Sequence, residues 1–134
     1  MQTPRLLFTL CAIALTFIFP SLTRAAELSA NDKQFLQNYE QVRAALAADD
    51  LAGAKKAAAS LGDEGSDLAK SDTLKDARKA FGKLSEQAVK LASGQPGFHV
   101  MHCPMVNKDW VQTSDKVANP YYGKEMLTCG EEKK

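Results

Sequence analysis

The chain has 134 residues, 45% of them hydrophobic, which is enough for one modest domain with its own core. It holds 17 basic and 16 acidic residues, so no charge excess indicates nucleic acid or an anionic membrane as a partner. A Ser/His/Asp set, paired acids and a Cys-x-x-Cys motif are all missing from the sequence, so we do not expect an enzyme.

The first 25 residues have the form of a secretory signal peptide. Arg5 supplies a positive charge, residues 6–19 are uncharged and largely apolar, and small residues flank a cleavage point after Ala25. The apolar stretch is too short to cross a hydrocarbon core of about 30 Å as a helix. We therefore expect cleavage, a periplasmic or secreted mature chain of net charge about −1, and no membrane attachment after cleavage.

Residues 26–94 are predicted to form a small antiparallel helical bundle. Apolar residues recur at spacings of three and four from Phe35 to Leu46, which predicts a first helix that ends near Ala48. A shorter stripe predicts a second helix over residues 51–61. A strict 3-4 pattern predicts a third helix over residues 72–92, after a polar connection at residues 62–71. Helices of this length need each other's apolar faces to be stable in water.

Residues 95–134 are predicted to be an irregular, turn-rich segment packed on the bundle, so the fold class is mainly α. The segment contains both mature cysteines, both histidines, the only tryptophan and three of the four methionines. The Asn-Pro-Tyr-Tyr-Gly string at residues 119–123 predicts a turn. Such a turn could bring Met126 and Cys129 back toward Cys103.

Every second residue from His99 to Met105 is a possible metal ligand, so an extended backbone would place these ligands on one face. Thiolate and thioether groups are soft ligands that select Cu(I) and its analogue Ag(I), whereas a zinc site has no use for a thioether. Trp110 could cover a bound ion through a cation–π contact, although packing is the commoner role of a tryptophan. The candidate metal ligands are His99, Met101, His102, Cys103, Met105, Met126 and Cys129.

A structural alternative explains the same residues without a metal. Cysteines of an exported chain meet oxidising conditions, so Cys103 and Cys129 could form a disulfide. That bond would close a loop of about 27 residues and contribute on the order of 3 kcal/mol. The methionines would then pack beneath it as core. Residue types alone favour this alternative slightly over a metal site.

Five strings in the second half of the chain resemble the signature of a known domain family of unknown function. They are Cys103-Pro104-Met105, Trp110-Val111-Gln112, residues 119–123, Met126-Leu127 and Cys129-Gly130-Glu131. The family occurs in exported bacterial proteins and attached to periplasmic adaptor subunits of copper/silver RND efflux pumps, with a helical segment before the Cys-Pro-Met motif. Residues 35–50 and 80–85 look similar to its helices.

The resemblance implies a periplasmic role near copper or another heavy metal. Its matching positions are Cys103, Met105, Met126 and Cys129. Family members are often longer in the helical region, so residues 62–71 look like a shortened connection. Because the hairpin and barrel regions of a pump adaptor are not found in this sequence, the resemblance implies a free-standing chaperone or buffer, with an RND efflux component as a possible partner. The resemblance moves the balance from the disulfide to the metal site.

Overall fold

A computed structural model describes residues 26–134, so the predicted signal peptide lies outside the described residues. Within them, no helix has the length and apolar character of a membrane span. The α-helices are α1 (Ala30–Ala47), α2 (Leu51–Ala59), α3 (Ser66–Ala69) and α4 (Leu74–Ala92). The strands are β1 (His99–Cys103), β2 (Lys108–Gln112) and β3 (Glu131–Glu132), and short 3-10 helices span Gly62–Gly65 and Gly123–Met126.

Side-chain caps define where the longer helices begin. The Ser29 hydroxyl accepts a hydrogen bond from the Asp32 amide at 3.1 Å, and the Asp32 carboxylate accepts one from the Ser29 amide at 3.2 Å, which makes a capping box for α1. Thr73 caps α4 by a single bond, because its hydroxyl accepts from the amide of Asp76 at 3.1 Å. The three predicted helices thus lie where the apolar spacing placed them, whereas α3 lies within the connection predicted as a loop.

The predicted fold class is wrong, because the C-terminal part contains a sheet. Strands β2, β1 and β3 form a three-stranded antiparallel sheet in that spatial order. In the register, Met101 pairs with Trp110 on one side of β1 and with Glu132 on the other. The protein is therefore a mixture of helices and sheet and not a plain helical bundle. β2 gave no strand signal because Trp110, Val111 and Gln112 are all buried, so polar and apolar residues do not alternate along it.

Two tyrosine hydroxyls bind the backbone at the edge of this sheet, Tyr39 from helix α1 and Tyr121 from the segment after β2. β2 is an edge strand, and its Val111 amide donates to the Tyr39 hydroxyl at 3.1 Å. The Tyr121 hydroxyl donates to the Asp109 carbonyl at 2.8 Å. Burial raises the pKa of Tyr39 far above its ordinary value and that of Tyr121 to about 12, so both hydroxyls keep their protons near neutral pH. Tyr39 also lies 2.8 Å from the Ser85 hydroxyl on α4.

Removing the Tyr39 hydroxyl should destabilise the protein. Tyr39→Phe leaves the buried Val111 amide and the Ser85 hydroxyl without this partner, so we expect the free energy of unfolding to fall by about 1–3 kcal/mol. Urea unfolding followed by circular dichroism measures the change. Tyr122→Phe, at a half-buried tyrosine of the C-terminal segment, is the control and should stay within about 0.5 kcal/mol of wild type. Equal effects of the two changes would contradict this role of Tyr39.

Two arginines attach the segment after β2 to the helices. Arg78 on α4 donates to the Pro120 carbonyl at 2.9 Å and to the Asp49 carboxylate at 2.5 Å. Arg43 on α1 donates to the Ala118 carbonyl at 3.1 Å. Asp49 itself has a φ of 59°, in the left-handed region that aspartate and asparagine enter more readily than most residues. The carbonyls on both sides of residue 119 are thus bound from the helical layer.

The Asp49 carboxylate should make stability depend on pH. Its hydrogen bond with Arg78 holds the pKa of Asp49 below the ordinary 3.8. A lowered folded-state pKa stabilises the fold above the unfolded-state value, and the contribution is lost as pH falls through the folded-state value. We expect wild type to exceed Asp49→Asn in urea midpoint at pH 7, with the difference shrinking toward zero below pH 3.8. Asp63→Asn, at an exposed position, should show no such convergence. A pH-independent difference for Asp49→Asn would contradict this account.

Candidate functional site

One face of the sheet carries sulfur groups and is covered by the segment that follows β2. Met101 and Cys103 alternate along β1 on this face, and both are completely buried. Trp110 pairs with Met101 in the register and is also buried. Its indole N–H donates to the Gln112 side chain at 2.9 Å, and its ring meets Tyr121 edge-on at 6.2 Å. Trp110 therefore has a packing role.

The strand ends before the alternation reaches Met105. Residues 104–107 form the turn between β1 and β2, and Asn107 in it has a φ of 51°. Pro104, which has no amide hydrogen for a sheet, begins this turn. Met105 is 60% exposed, so it does not share the buried face of Cys103.

The buried side chain of Asn119 joins the two cysteine segments. Its amide nitrogen donates to Cys103 Sγ at 3.2 Å and to the Cys129 carbonyl at 2.7 Å, while its oxygen accepts from the Tyr121 amide at 2.8 Å. Cys103 Sγ and the Cys129 carbonyl oxygen therefore accept hydrogen bonds from the same nitrogen atom. We call Cys103, Asn119 and Cys129 the Asn119 junction. The chain doubles back after β2, and this junction is where its two cysteine-bearing parts meet.

The backbone of Asn119 also makes hydrogen bonds that fix the turn after β2. The Asn119 amide donates to the Leu127 carbonyl at 2.8 Å, and its carbonyl accepts from Gly123 at 3.0 Å. Met126 is half-buried, and its carbonyl accepts from the Cys129 amide at 3.0 Å. Met126 and Cys129 thus belong to one short turn beside the junction.

Both cysteines of the described chain are free thiols. Cys103 is buried and Cys129 is partly exposed. The disulfide considered from the sequence is therefore not formed in this structure, although its two partners lie on segments that meet. An amide N–H directed at sulfur is a hydrogen bond that orients the Cys103 side chain.

The two histidines are held by carboxylates instead of joining the sulfur groups. His99 Nδ1 lies 2.7 Å from Glu132 Oε1, and His102 Nδ1 lies 2.7 Å from Asp109 Oδ1. His102 also points to the sheet face opposite Cys103, because the two residues are consecutive in a strand. Within residues 26–134 no three His, Cys, Asp or Glu side chains converge to hold a metal ion. A soft-metal site at the junction would therefore have to include a thioether or use two thiols.

A separate cavity of about 420 Å³ lies between α4 and the sheet, on the His102 side. Asp109 in its wall also accepts from Lys133 Nζ at 2.7 Å. Burial opposes ionisation of Asp109, but the hydrogen bonds from Lys133 and His102 outweigh it and keep the pKa of Asp109 below its ordinary value. Because no cysteine or methionine lines this cavity, it is distinct from the Asn119 junction.

Sequence reasoning missed the two buried amides that organise the covering segment. Asn119 was predicted only as a turn residue, and its oxygen does accept from the amide two residues on, as an Asx-turn requires. Gln112 binds the carbonyls of Ser114 and Lys116 at 2.6 and 2.7 Å. The Asn-Pro pair predicted the turn at residue 119, but no local pattern showed that Asn119 reaches Cys103 or that Gln112 binds the loop that directly follows it.

A side chain at Gly123 should destabilise the protein, because Asp49 and Arg78 lie directly beside this residue. Gly62 and Gly123 share a φ of 61°, but a Cβ at Gly62 meets no atom within 4 Å, whereas one at Gly123 would overlap Asp49 and Arg78. We expect Gly62→Ala to cost about 1–2 kcal/mol from backbone strain alone. Gly123→Ala should cost clearly more, because the Arg78 contact with Asp49 must move. Chemical unfolding of both variants measures the difference, and equal losses would show that the close approach is unimportant.

No protein family, curated protein or solved structure matches this chain. The resemblance of the Cys-Pro-Met and Asn-Pro-Tyr-Tyr-Gly strings therefore stays a prediction, and a function has to be inferred from the side chains themselves. The Asn119 junction is the feature of the described residues that brings together groups of distinctive chemistry.

Proposed function

We propose that this protein binds a soft monovalent metal ion, Cu(I) or Ag(I), in the periplasm, as a chaperone or buffer associated with heavy-metal efflux or resistance. One observation carries the proposal: two free thiols from distant parts of the sequence belong to segments that meet at a single buried amide. Thiolates are the protein ligands that Cu(I) and Ag(I) prefer.

The thiols of Cys103 and Cys129 are the proposed primary ligands. A third ligand would be a thioether, since carboxylates hold both histidines. Met126 is the nearer choice along the chain because it shares a turn with Cys129. Met105, exposed at the tip of the β1–β2 turn, could receive an ion from solvent. Thioethers bind metal without losing a proton, which suits a site that takes up and releases its cargo.

Asn119 would act as the outer support of such a site. Metal ligands are oriented by hydrogen bonds from neighbouring groups, and losing such a group typically lowers metal affinity by about 10–100-fold. Here the amide that donates to Cys103 Sγ is completely buried and has its remaining groups occupied. The buried surroundings of Cys103 would also limit contact between a bound ion and water.

The proposed setting rests on other features of the sequence. The leader-like residues 1–25 support export, and the family resemblance supports an RND efflux component as a partner. The balanced charge of the chain gives no support for nucleic acid as a partner. We propose a binding protein and not an enzyme.

A second candidate function is a structural or interaction module in which Cys103 and Cys129 form a permanent disulfide. The meeting of the two cysteine segments at Asn119 favours it, because bonded cysteines have to lie close together. Mass spectrometry of protein recovered from the periplasm decides between the two, since two free thiols there would exclude a permanent bond.

Competition with a Cu(I) chelator tests metal binding. Reduced wild-type protein should bind Cu(I) with a Kd below about 1 μM, which corresponds to about 8 kcal/mol. Cys103→Ser and Cys129→Ser should each weaken binding by at least about tenfold because a soft ligand is lost. Met126→Leu and Met105→Leu keep the side-chain volume and test each thioether. His102→Asn should leave the affinity unchanged.

Two results would contradict the proposed function. The first is wild-type binding weaker than micromolar. The second is unchanged affinity in both cysteine variants, with circular dichroism showing that they are folded.

A further inference from the structure

We propose that Cys103 and Cys129 are also a reversible thiol–disulfide pair whose oxidation switches off metal binding. The switching of metal affinity rests on the proposed function, whereas the reversible pair itself does not. Three structural features carry the inference: the unequal exposure of the two thiols, the Asn119 bridge between their segments, and the different backbone settings of the two residues.

Unequal exposure fixes the order of events. Cys103 is 0% exposed at the end of β1, while Cys129 is partly exposed. An external disulfide can therefore reach Cys129 but not Cys103, because exchange requires access to the attacking sulfur. Cys129 is the attacking residue and Cys103 is the resolving residue.

Asn119 keeps the resolving thiol next to the segment that carries the attacking one. Its nitrogen is within hydrogen-bond distance of both Cys103 Sγ and the Cys129 carbonyl. Cys103 is fixed by its pairing with Lys108, whereas Cys129 closes the turn that follows the 3-10 helix Gly123–Met126 and precedes strand β3. Gly130 follows it directly. Only the Cys129 side has to adjust for the two sulfurs to bond.

The exchange proceeds in two balanced steps with an external disulfide as oxidant. The Cys129 thiol loses its proton, and its thiolate attacks one sulfur of that disulfide. A mixed disulfide forms, and the released thiolate takes up a proton. The Cys103 thiol then loses its proton and its thiolate attacks the Cys129 sulfur, so that the Cys103–Cys129 bond forms and the second external thiolate leaves and is protonated. Two electrons pass from the protein thiols to the external disulfide, which becomes two thiols.

Oxidation and metal binding exclude each other in this scheme. A disulfide has no thiolate to offer Cu(I), and a thiolate that binds Cu(I) is not free to attack a disulfide. The protein would hold metal under reducing conditions and release it when oxidised, and bound metal would in turn protect the thiols.

Oxidised glutathione is a suitable probe for protein recovered after export and then reduced. Mass spectrometry of wild type should show the loss of two hydrogen atoms and no lasting glutathione adduct, with reversal by a reductant. Cys103→Ser should keep a stable adduct on Cys129, because the resolving thiol is gone. Cys129→Ser should react at least about tenfold more slowly, because Cys103 is buried.

Two buried amides give a matched pair for the role of Asn119. Asn119 and Gln112 are both completely buried and both organise the covering segment, but only Asn119 contacts a sulfur atom. Asn119→Asp removes the donor to Cys103, so the mixed disulfide should accumulate because its resolution is slower. Gln112→Glu should resolve it at the wild-type rate. Circular dichroism of both variants confirms that they are folded.

Three outcomes for wild type would contradict a reversible Cys103–Cys129 disulfide. They are a lasting glutathione adduct, a disulfide between two chains, and no reaction at all. The switch is measured by Cu(I) competition before and after oxidation, where affinity should fall at least about tenfold and return on reduction. If the reduced protein binds no Cu(I), the proposed function and the switch both fall, while the mass measurements still decide whether the cysteines pair.

Discussion

The hydrogen bonds of Asn119 are the constraint on which the C-terminal half depends. A buried amide with an unmet group costs about 1–3 kcal/mol, so each bond of this side chain favours one path of the backbone around it. Its nitrogen holds Cys103 and Cys129, and its oxygen forms the turn at Tyr121. Arg43 and Arg78 bind the carbonyls on either side, so the same short segment is also attached to the helices. The position of the thiols follows from these attachments.

The helices could be predicted from the sequence, but the sheet could not. The 3-4 spacing from Phe35 to Leu46 identifies α1 because one face of that helix packs against the core and the other meets water. β2 has no such asymmetry, since Trp110 is covered by the returning segment while Val111, the next residue along the strand, is also buried. A strand buried on both faces shows no period of two. β3 is only two residues long, too short for any periodic signal.

The candidate site was predictable in part. The turn at residues 119–123 predicted that Cys129 returns toward Cys103, and the two segments do meet at Asn119. The alternation around Cys103 could not show that Glu132 and Asp109 hold the neighbouring histidines, because these partners arrive from β3 and β2. It also could not show that the strand stops before Met105. Local patterns identify candidate ligands, while the pairing of distant strands decides which of them are available.

Within residues 26–134, neither edge of the sheet is well suited to accept a further strand from another polypeptide. Tyr39 and Tyr121 already bind outward-facing backbone groups of β2, and the opposite edge is the two-residue strand of Glu131 and Glu132. Short, charged or covered edges resist the addition of a further strand. Main-chain pairing with another polypeptide is therefore disfavoured at both edges, and the exposed side chain of Met105 on the β1–β2 turn is a contact that does not depend on such pairing. The same short and covered edges also disfavour edge-to-edge aggregation of the protein when it is concentrated.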